Sequence, residues 1–385
     1  MKKLLIITTS KYPNGDAGSI RQHIFAKMFT ELNYNVEVIG MGNSTNYKQQ
    51  VYDGIPYRSF RNKNDSLIMR IFNLVSYKSK LNKYLNENTD VTDILVISVP
   101  PSVISYLKKN INPKIKLYHD SVEWYSKDQF KLGYLSPSYQ INNLYNKKWI
   151  DKKFKVISIS KYLEDNFKSR GVETIRLPIL LDVQSMNNNN HTSNELKIKI
   201  IYAGSIGNNK DYLLEFLTSI DLLSLEYKSK IEFNILGINK IDLVKNFKLD
   251  AEFFVRNENV INALGRVSRN EVINYLDNAD FSILFRNPNQ RYAKAGFPTK
   301  VVESLSTKTA VILNWSSDLN EYLTNYKDCL VVEKLQVSLI VAKLEEIVKM
   351  SREEIEILKS NARCTAEKNF DYKNYIFKLN EFMER

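Results

Sequence analysis

Short apolar runs and amphipathic stretches alternate along this chain from its first residues. Leu4-Leu5-Ile6-Ile7 is a continuous apolar run, Ile20 to Leu32 carries apolar residues at helical spacing, and Val36-Glu37-Val38-Ile39 returns to a strand pattern. Strand, helix, strand in that order predicts a parallel sheet, because parallel neighbours need a crossover and a helix supplies it. Further strands are predicted at Ile94-Leu95-Val96-Ile97, Lys116-Leu117-Tyr118 and Val156-Ile157-Ser158-Ile159. The last runs into Ser160, an N-cap for a helix starting near Tyr162.

A polar, asparagine-rich stretch from Met186 to Ser193 interrupts this pattern. Alternation resumes with strands at Lys199 to Ala203, ending in Gly204, and Ile231 to Leu236, ending in Gly237. Asp280 to Phe285, Ala310 to Leu313 and Cys329 to Val332 follow. The reading is α/β: a first domain over residues 1–180, a linker over 181–196 and a second domain from residue 197. Two doubly wound halves imply a cleft in which ligands meet the carboxyl ends of the strands. The length of 385 residues agrees with two cores rather than one.

Composition narrows the function classes. Hydrophobic residues at 43% suffice for two cores, and no segment approaches the ~20 continuous apolar residues of a spanning helix. The start reads as a buried strand rather than a signal peptide, since the apolar stretch stops at Thr8-Thr9-Ser10 without a small-residue cleavage site. Cys329 and Cys364 form no framework and have no metal-ligand spacing; two inert core thiols fit a cytoplasmic protein. The net charge of +12 is uneven: the first 180 residues hold 28 Lys+Arg against 15 Asp+Glu, the remainder 27 against 28. A basic first half attracts polyanions, but no nucleic-acid-binding motif accompanies it, so no nucleic-acid partner is expected. Leu67 to Leu85 mixes apolar residues with Arg70, Lys78, Lys80 and Lys83. Two readings stay open for it: a domain helix with a wet basic face, or an interfacial helix on an anionic membrane at the inner face of the plasma membrane.

Three segments carry candidate chemistry. Pro13 to Ser19, with Gly15 and Gly18, is a small-residue loop feeding a helix, where backbone amides can meet a phosphate. Leu117 to Tyr125 gathers His119, Asp120 and Glu123 after a predicted strand. Ala295-Gly296-Phe297-Pro298-Thr299-Lys300-Val301-Val302-Glu303 is a loop entering a helix.

This last segment resembles the donor-site signature of glycosyltransferase family 4. In that family a Gly-Phe-Pro-like turn opens a helix whose amides meet the sugar and diphosphate, and a glutamate further on accepts from the ribose hydroxyls. Glu303 stands at that glutamate. Ala295 stands where the family usually carries another glutamate, with Lys294 as a neighbouring substitute. Tyr202-Ala203-Gly204-Ser205, with Lys210, is similar to the family's diphosphate segment; Ser205 replaces a common arginine, and Arg286 or Arg291 can supply the cation. His119, Asp120 and Glu123 fall where members place catalytic groups beside the reacting sugar.

The resemblance implies the GT-B fold, two Rossmann-like domains facing a central cleft, with an acceptor-binding domain at 1–180, a nucleotide-sugar domain at 197–365 and a final helix at 366–385 crossing back to the first. It further implies a retaining, metal-independent hexosyltransferase with no cofactor beyond its nucleotide sugar, UDP- or GDP-linked. The implied acceptor is a surface-polysaccharide, capsule or lipid-linked glycan of a bacterial cell envelope. The sequence also contains no Asp-x-Asp motif. Ala295 and Ser205 leave two alternatives open: a non-catalytic nucleotide-sugar-binding subunit of a transferase complex, and an epimerase on the same fold.

Overall fold

A computed structural model describes the whole chain except residues 14–16, 42–47, 62–64, 187–196, 205–210 and 251. The chain divides into two compact units. The first comprises Met1–Tyr125, Tyr134–Asp182 and Tyr372–Arg385, the second Ser126–Gly133 and Val183–Asp371. The asparagine-rich stretch lies outside the described residues except for Met186.

The strands of the first unit are β1 (Lys3–Thr8), β2 (Asn35–Gly40), β3 (Gln50–Tyr52), β4 (Ile55–Ser59), β5 (Asp93–Ile97), β6 (Lys116–Ser121), β7 (Phe154–Ser158) and β8 (Thr174–Arg176). They form one sheet in the order β3-β4-β2-β1-β5-β6-β7-β8, parallel throughout except for the β3–β4 pair. Its helices are α1 (Ala17–Glu31), α2 (Leu67–Val75), α3 (Tyr77–Glu87), α4 (Pro101–Asn110), α5 (Pro137–Leu144) and α6 (Lys161–Lys168), and a π-helical turn spans Tyr145–Trp149. Successive side chains of a strand point to opposite faces, so β1 sends Leu4 and Ile6 into one core and Leu5 and Ile7 into another. Phe25, Met28 and Phe29 of α1 complete the first core; Leu81 of α3, Leu107 of α4 and Phe167 of α6 enter the second. Burial on both faces explains why these strands read as continuous apolar runs. Ser160 caps α6 as its position suggests, accepting from the Leu163 amide at 3.4 Å.

The second unit carries β9 (Ile198–Ala203), β10 (Ile231–Leu236), β11 (Ile261–Gly265), β12 (Phe281–Leu284), β13 (Ala310–Leu313) and β14 (Cys329–Val331). Their order is β11-β10-β9-β12-β13-β14, all parallel. The helices are α7 (Leu213–Leu222), α8 (Leu225–Ser229), α9 (Lys240–Phe247), α10 (Phe253–Arg256), α11 (Arg269–Asp277), α12 (Arg291–Ala295), α13 (Thr299–Ser306), α14 (Val337–Lys349) and α15 (Arg352–Asn369). The strand order reverses direction at β9 and β12, which creates a topological switch point at their carboxyl ends.

Hydrogen bonds mark where the chain passes from one unit to the other. Asp371 accepts from the amides of Val183 and Gln184 at 3.1 and 3.3 Å within the second unit, and the Tyr372 amide donates to the Leu181 carbonyl at 3.0 Å within the first. The last helix, α16 (Ile376–Glu384), then buries Leu379, Phe382 and Met383 in the first unit's core. One sequence expectation fails: Cys329 is buried, but Cys364 is an exposed thiol on α15. No helix among the described residues is long and apolar enough to cross a membrane.

Candidate functional site

In the first unit, β6 extends past Tyr118 to Ser121, so His119 and Asp120 are consecutive strand residues with opposite directions. Asp120 shares the α1 face with Tyr118 and is buried there against Arg21. Arg21 Nε and Nη2 reach the carboxylate at 2.9 and 2.8 Å, and its Nη1 donates to the Pro178 carbonyl at 2.6 Å. Burial pushes the Asp120 carboxyl above its ordinary range, against the opposing pull of Arg21. Asp120 is thereby engaged in a buried ion pair that ties β6 to α1.

His119 faces the other way, stacked on Tyr145 with ring centroids 5.9 Å apart and edge-on to Phe167. Burial lowers its pKa to about 4, with a hydrogen bond to the Val96 backbone pulling the other way, so the ring is neutral at physiological pH. Its Nδ1 is buried and meets no protein partner. His119 lines a cavity of about 230 Å3 together with Ser98, Ser121, Glu123, Tyr125 and Asn142. Ser98, just past β5, holds a left-handed φ of 48°, a conformation that carries strain in a residue with a Cβ.

The loop after β6 is suspended from two asparagines. Asn142 Nδ2 and Asn146 Nδ2 donate to the Glu123 carbonyl at 3.1 and 3.2 Å, while Asn142 Oδ1 accepts from the Tyr125 amide at 2.9 Å. Ser121 Oγ donates to Asn146 Oδ1 at 3.1 Å. Burial and a hydrogen bond to the Glu123 carboxylate together raise the Tyr125 phenol pKa. Glu123 is therefore an oriented carboxylate at the rim of the cavity. Asn146 sits in the π-helical turn, an irregularity often found at functional sites.

The second unit gathers its candidates at the switch point. Lys300, in the first turn of α13, donates from Nζ to Asp211 Oδ2 at 2.5 Å and to Tyr202 Oη at 3.1 Å. Tyr202 donates to the same carboxylate oxygen at 2.9 Å, and Arg286 Nε reaches Asp211 Oδ1 at 3.4 Å. Burial pushes Asp211 up, but Lys300 and Arg286 outweigh it and hold the carboxyl at about 2. Burial lowers Lys300, against the attraction of Asp211. Gly204 makes this arrangement possible: a Cβ there would lie 2.1 Å from Lys300 Nζ and 2.4 Å from its Cε. Arg286 is fixed through its backbone, its amide donating to Asn314 Oδ1 and its carbonyl accepting from Asn314 Nδ2, both at 2.8 Å.

Glu303 is buried one turn further along α13, with Oε1 accepting from Arg269 at 2.7 Å. Pro298 occupies the N-cap position of α13, where no side chain caps the helix; its opening amides are available to an anion. Thr299 is half-buried in the same turn. Phe297 is packed against Tyr322 and Phe370, at 5.6 and 5.8 Å between centroids, and so anchors the turn instead of offering its ring to a ligand. Gly296 and Ala295 are buried, Lys294 is exposed, and Arg291 opens α12. The short segment Ser126–Gly133 joins this region, Ser126 Oγ accepting from the Tyr292 amide at 3.2 Å.

Gly18 lies in the first turn of α1, in the first unit. Gly15, Ser205 and Lys210 lie outside the described residues. Sequence reasoning missed Arg21, Asp211, Arg269, Asn142 and Asn146. Arg21 had a signal, a cation within the apolar stripe of α1 beside Ile24, Phe25 and Met28. Asp211 had none beyond following the Gly204 turn. Among the described residues no group of three or more His, Cys, Asp or Glu side chains is arranged to hold a metal.

Residues 184–365 match the family described as Glycosyl transferases group 1. This stretch is a group 1 glycosyltransferase domain. Solved structures resemble the chain over its whole length. Sucrose-phosphate synthase from Thermosynechococcus elongatus is 11% identical with a TM-score of 0.74, over 100% of this chain and 98% of that one. Anabaena HepE in complex with UDP and glucose is 12% identical with a TM-score of 0.69, over 100% of both chains. WaaG, a glycosyltransferase involved in lipopolysaccharide biosynthesis, is 13% identical with a TM-score of 0.67, over 98% of both. These likenesses establish the GT-B fold. No curated protein matches the chain by sequence. The transferase domain thus contains the whole Tyr202–Asp211–Arg286–Lys300 cluster, together with Glu303.

Proposed function

We propose that this protein transfers a sugar, with retention of configuration and without a metal, from a nucleoside diphosphate sugar to a surface-polysaccharide or lipid-linked glycan acceptor. The observation that carries the reading is the cation cluster of the transferase domain: Lys300 and Arg286 converge beside Gly204 and the uncapped start of α13. Fixed positive charge and free amides at a switch point suit a diphosphate, whose negative charge grows as the nucleotide departs. Two structural neighbours agree in kind, one solved in complex with UDP and glucose and the other involved in lipopolysaccharide biosynthesis.

In this reading the acceptor hydroxyl oxygen bonds to the anomeric carbon as the bond from that carbon to the diphosphate oxygen breaks. The hydroxyl proton passes to the departing phosphate oxygen. Lys300, Arg286 and the first amides of α13 stabilise the charge that develops on the leaving group, and Glu303 accepts from the ribose hydroxyls. In the first unit the neutral His119 ring offers Nδ1 to a sugar hydroxyl and Glu123 orients a second one. Asp120 acts by holding the strand end in place through Arg21. A non-catalytic nucleotide-sugar-binding subunit is the second reading, favoured by the buried Ala295, which brings no carboxylate to the donor segment.

A thermal-shift panel of UDP, GDP, ADP and CMP with their common sugars tests the site. A ligand at one hundred times its dissociation constant stabilises by ~2.7 kcal/mol. A shift for one nucleoside diphosphate that vanishes in Glu303→Ala supports the donor site; an equal shift in wild type and variant removes Glu303 from it. Turnover of the bound nucleotide sugar then separates the enzyme from the non-catalytic subunit.

A further inference from the structure

Helix α2 is built inside out. Its seven apolar side chains are between 41% and 79% exposed, with Ile68 and Val75 near the top of that range, whereas its single buried residue is the polar Asn73. Asn73 is held firmly: its Nδ2 donates to the Asp65 carboxylate at 2.7 Å and its Oδ1 accepts from Lys80 Nζ at 2.5 Å. Arg70 Nε donates to the Asp65 carbonyl at 3.0 Å and stays exposed, so Asn73 alone of the helix is turned into the domain. Nearly all the rest of the helix circumference is apolar and faces outward. A helix facing water has the opposite arrangement, and an exposed apolar patch of this kind marks a binding surface.

We infer that α2 is a membrane-insertion element, which seats the first unit on an anionic lipid surface with its apolar side chains in the headgroup and acyl boundary. Charge selects this occupant. From Arg61 to Lys83 the chain carries six Lys or Arg and one acidic residue, Asp65, and Asp65 is engaged by Asn73. Arg70, Lys78 and Lys83 are exposed on α2 and the adjoining α3. Basic side chains flanking an apolar ridge complement anionic headgroups above an acyl layer. A second copy of the chain is a poorer occupant, because an isologous pairing through α2 would bring like-charged flanks together. At nine residues, roughly 14 Å, the helix lies in the interface and does not span it. This inference does not rest on the transferase reading.

Flotation of the full chain with vesicles of phosphatidylcholine alone, or of phosphatidylcholine mixed with phosphatidylglycerol, tests it. Wild type should float with the mixed vesicles, less so as salt rises, and remain in solution with phosphatidylcholine alone. The pair Ile68→Asn and Phe72→Asn, both at exposed positions, should reduce partitioning about tenfold or more, and Lys78→Glu with Lys83→Glu by about tenfold. Ile241→Asn, at an exposed apolar position of the second unit, should change nothing. Wild type that stays in solution with anionic vesicles overturns the inference, as do apolar variants that float like wild type. A concentration-dependent dimer abolished by the Ile68 and Phe72 substitutions, without vesicle binding, would overturn it as well and give the surface to a second copy.

Discussion

Asp211→Asn should destabilise the second unit by an amount that follows from its two cationic neighbours. The Asp211 carboxyl is held at about 2, against an ordinary value of 3.8. At roughly 1.36 kcal/mol per unit, the difference corresponds to about 2 kcal/mol at neutral pH. Removing one member of a fully buried pair costs about 3–5 kcal/mol. The smaller figure applies here because the Lys300 side chain retains 26% of its exposure, while Asp211 retains 10%. For a unit of about 200 residues, 2 kcal/mol lowers the melting temperature by about 4–8 °C.

The direction with pH is also set. Because the folded-state pKa is depressed, the unfolded chain binds the proton first; the stabilisation is complete above about pH 4 and is lost as pH falls towards 2. Scanning calorimetry of the full chain should therefore find a gap between wild type and variant that is constant from pH 8 to 5, and that begins to close below about pH 4. Gly204→Ala reaches the same pair by another route, since its Cβ forces Lys300 away from Asp211. Its cost should largely disappear in the Asp211→Asn background. Equal melting temperatures for wild type and Asp211→Asn at pH 7, or full additivity with Gly204→Ala, would refute the assignment of a coupled cluster.

His119 has its pKa lowered from 6.5 to about 4, so it opposes folding increasingly as pH falls from 6.5 to 4, by about 3 kcal/mol in total; His119→Gln should flatten that part of the stability profile. Its ring signals in NMR should stay constant between about pH 5.5 and 8, and a titration near 6.5 would show the ring to be solvated. Arg21→Met leaves the Asp120 carboxylate buried without its partner and should cost about 3–5 kcal/mol in a thermal melt. A loss below 1 kcal/mol would mean that water already reaches Asp120.

Sequence pattern revealed the strands that are buried on both faces. The runs at Leu4 to Ile7 and Ala310 to Leu313 both fall within strands, because a strand covered on both sides is apolar at nearly every position. The pattern overlooked β3, β4, β8 and β11. Three of these are sheet edges, and β3 and β8 have only three residues each. Partial exposure mixes polar residues into such strands, as in β11, and a run of three leaves no period to detect. The segment from Gly296 to Glu303 was readable for a local reason: the Gly-Phe-Pro turn and the helix it opens depend on neighbouring residues. Asp211 was not, since its two cationic partners lie 75 and 89 residues away and only the folding of the sheet brings them to it.

The His119 and Asp120 pair shows how a boundary error of three residues changes a functional reading. With the strand ended at Tyr118, the next residues belong to a loop, where adjacent side chains can serve one ligand together. The hydrogen-bond register continues through Ser121, pairing His119 with Val156 and Asp120 with Ile157. Two-residue alternation then sends the imidazole to the cavity and the carboxylate to Arg21. One residue is left with a buried nitrogen that meets no protein partner, and the other has both oxygens engaged. A group that binds a ligand needs unspent hydrogen-bonding capacity, and a group that fixes a strand end needs none. On the proposed function, the ligand-binding role in this segment therefore falls to His119 and the positioning role to Asp120.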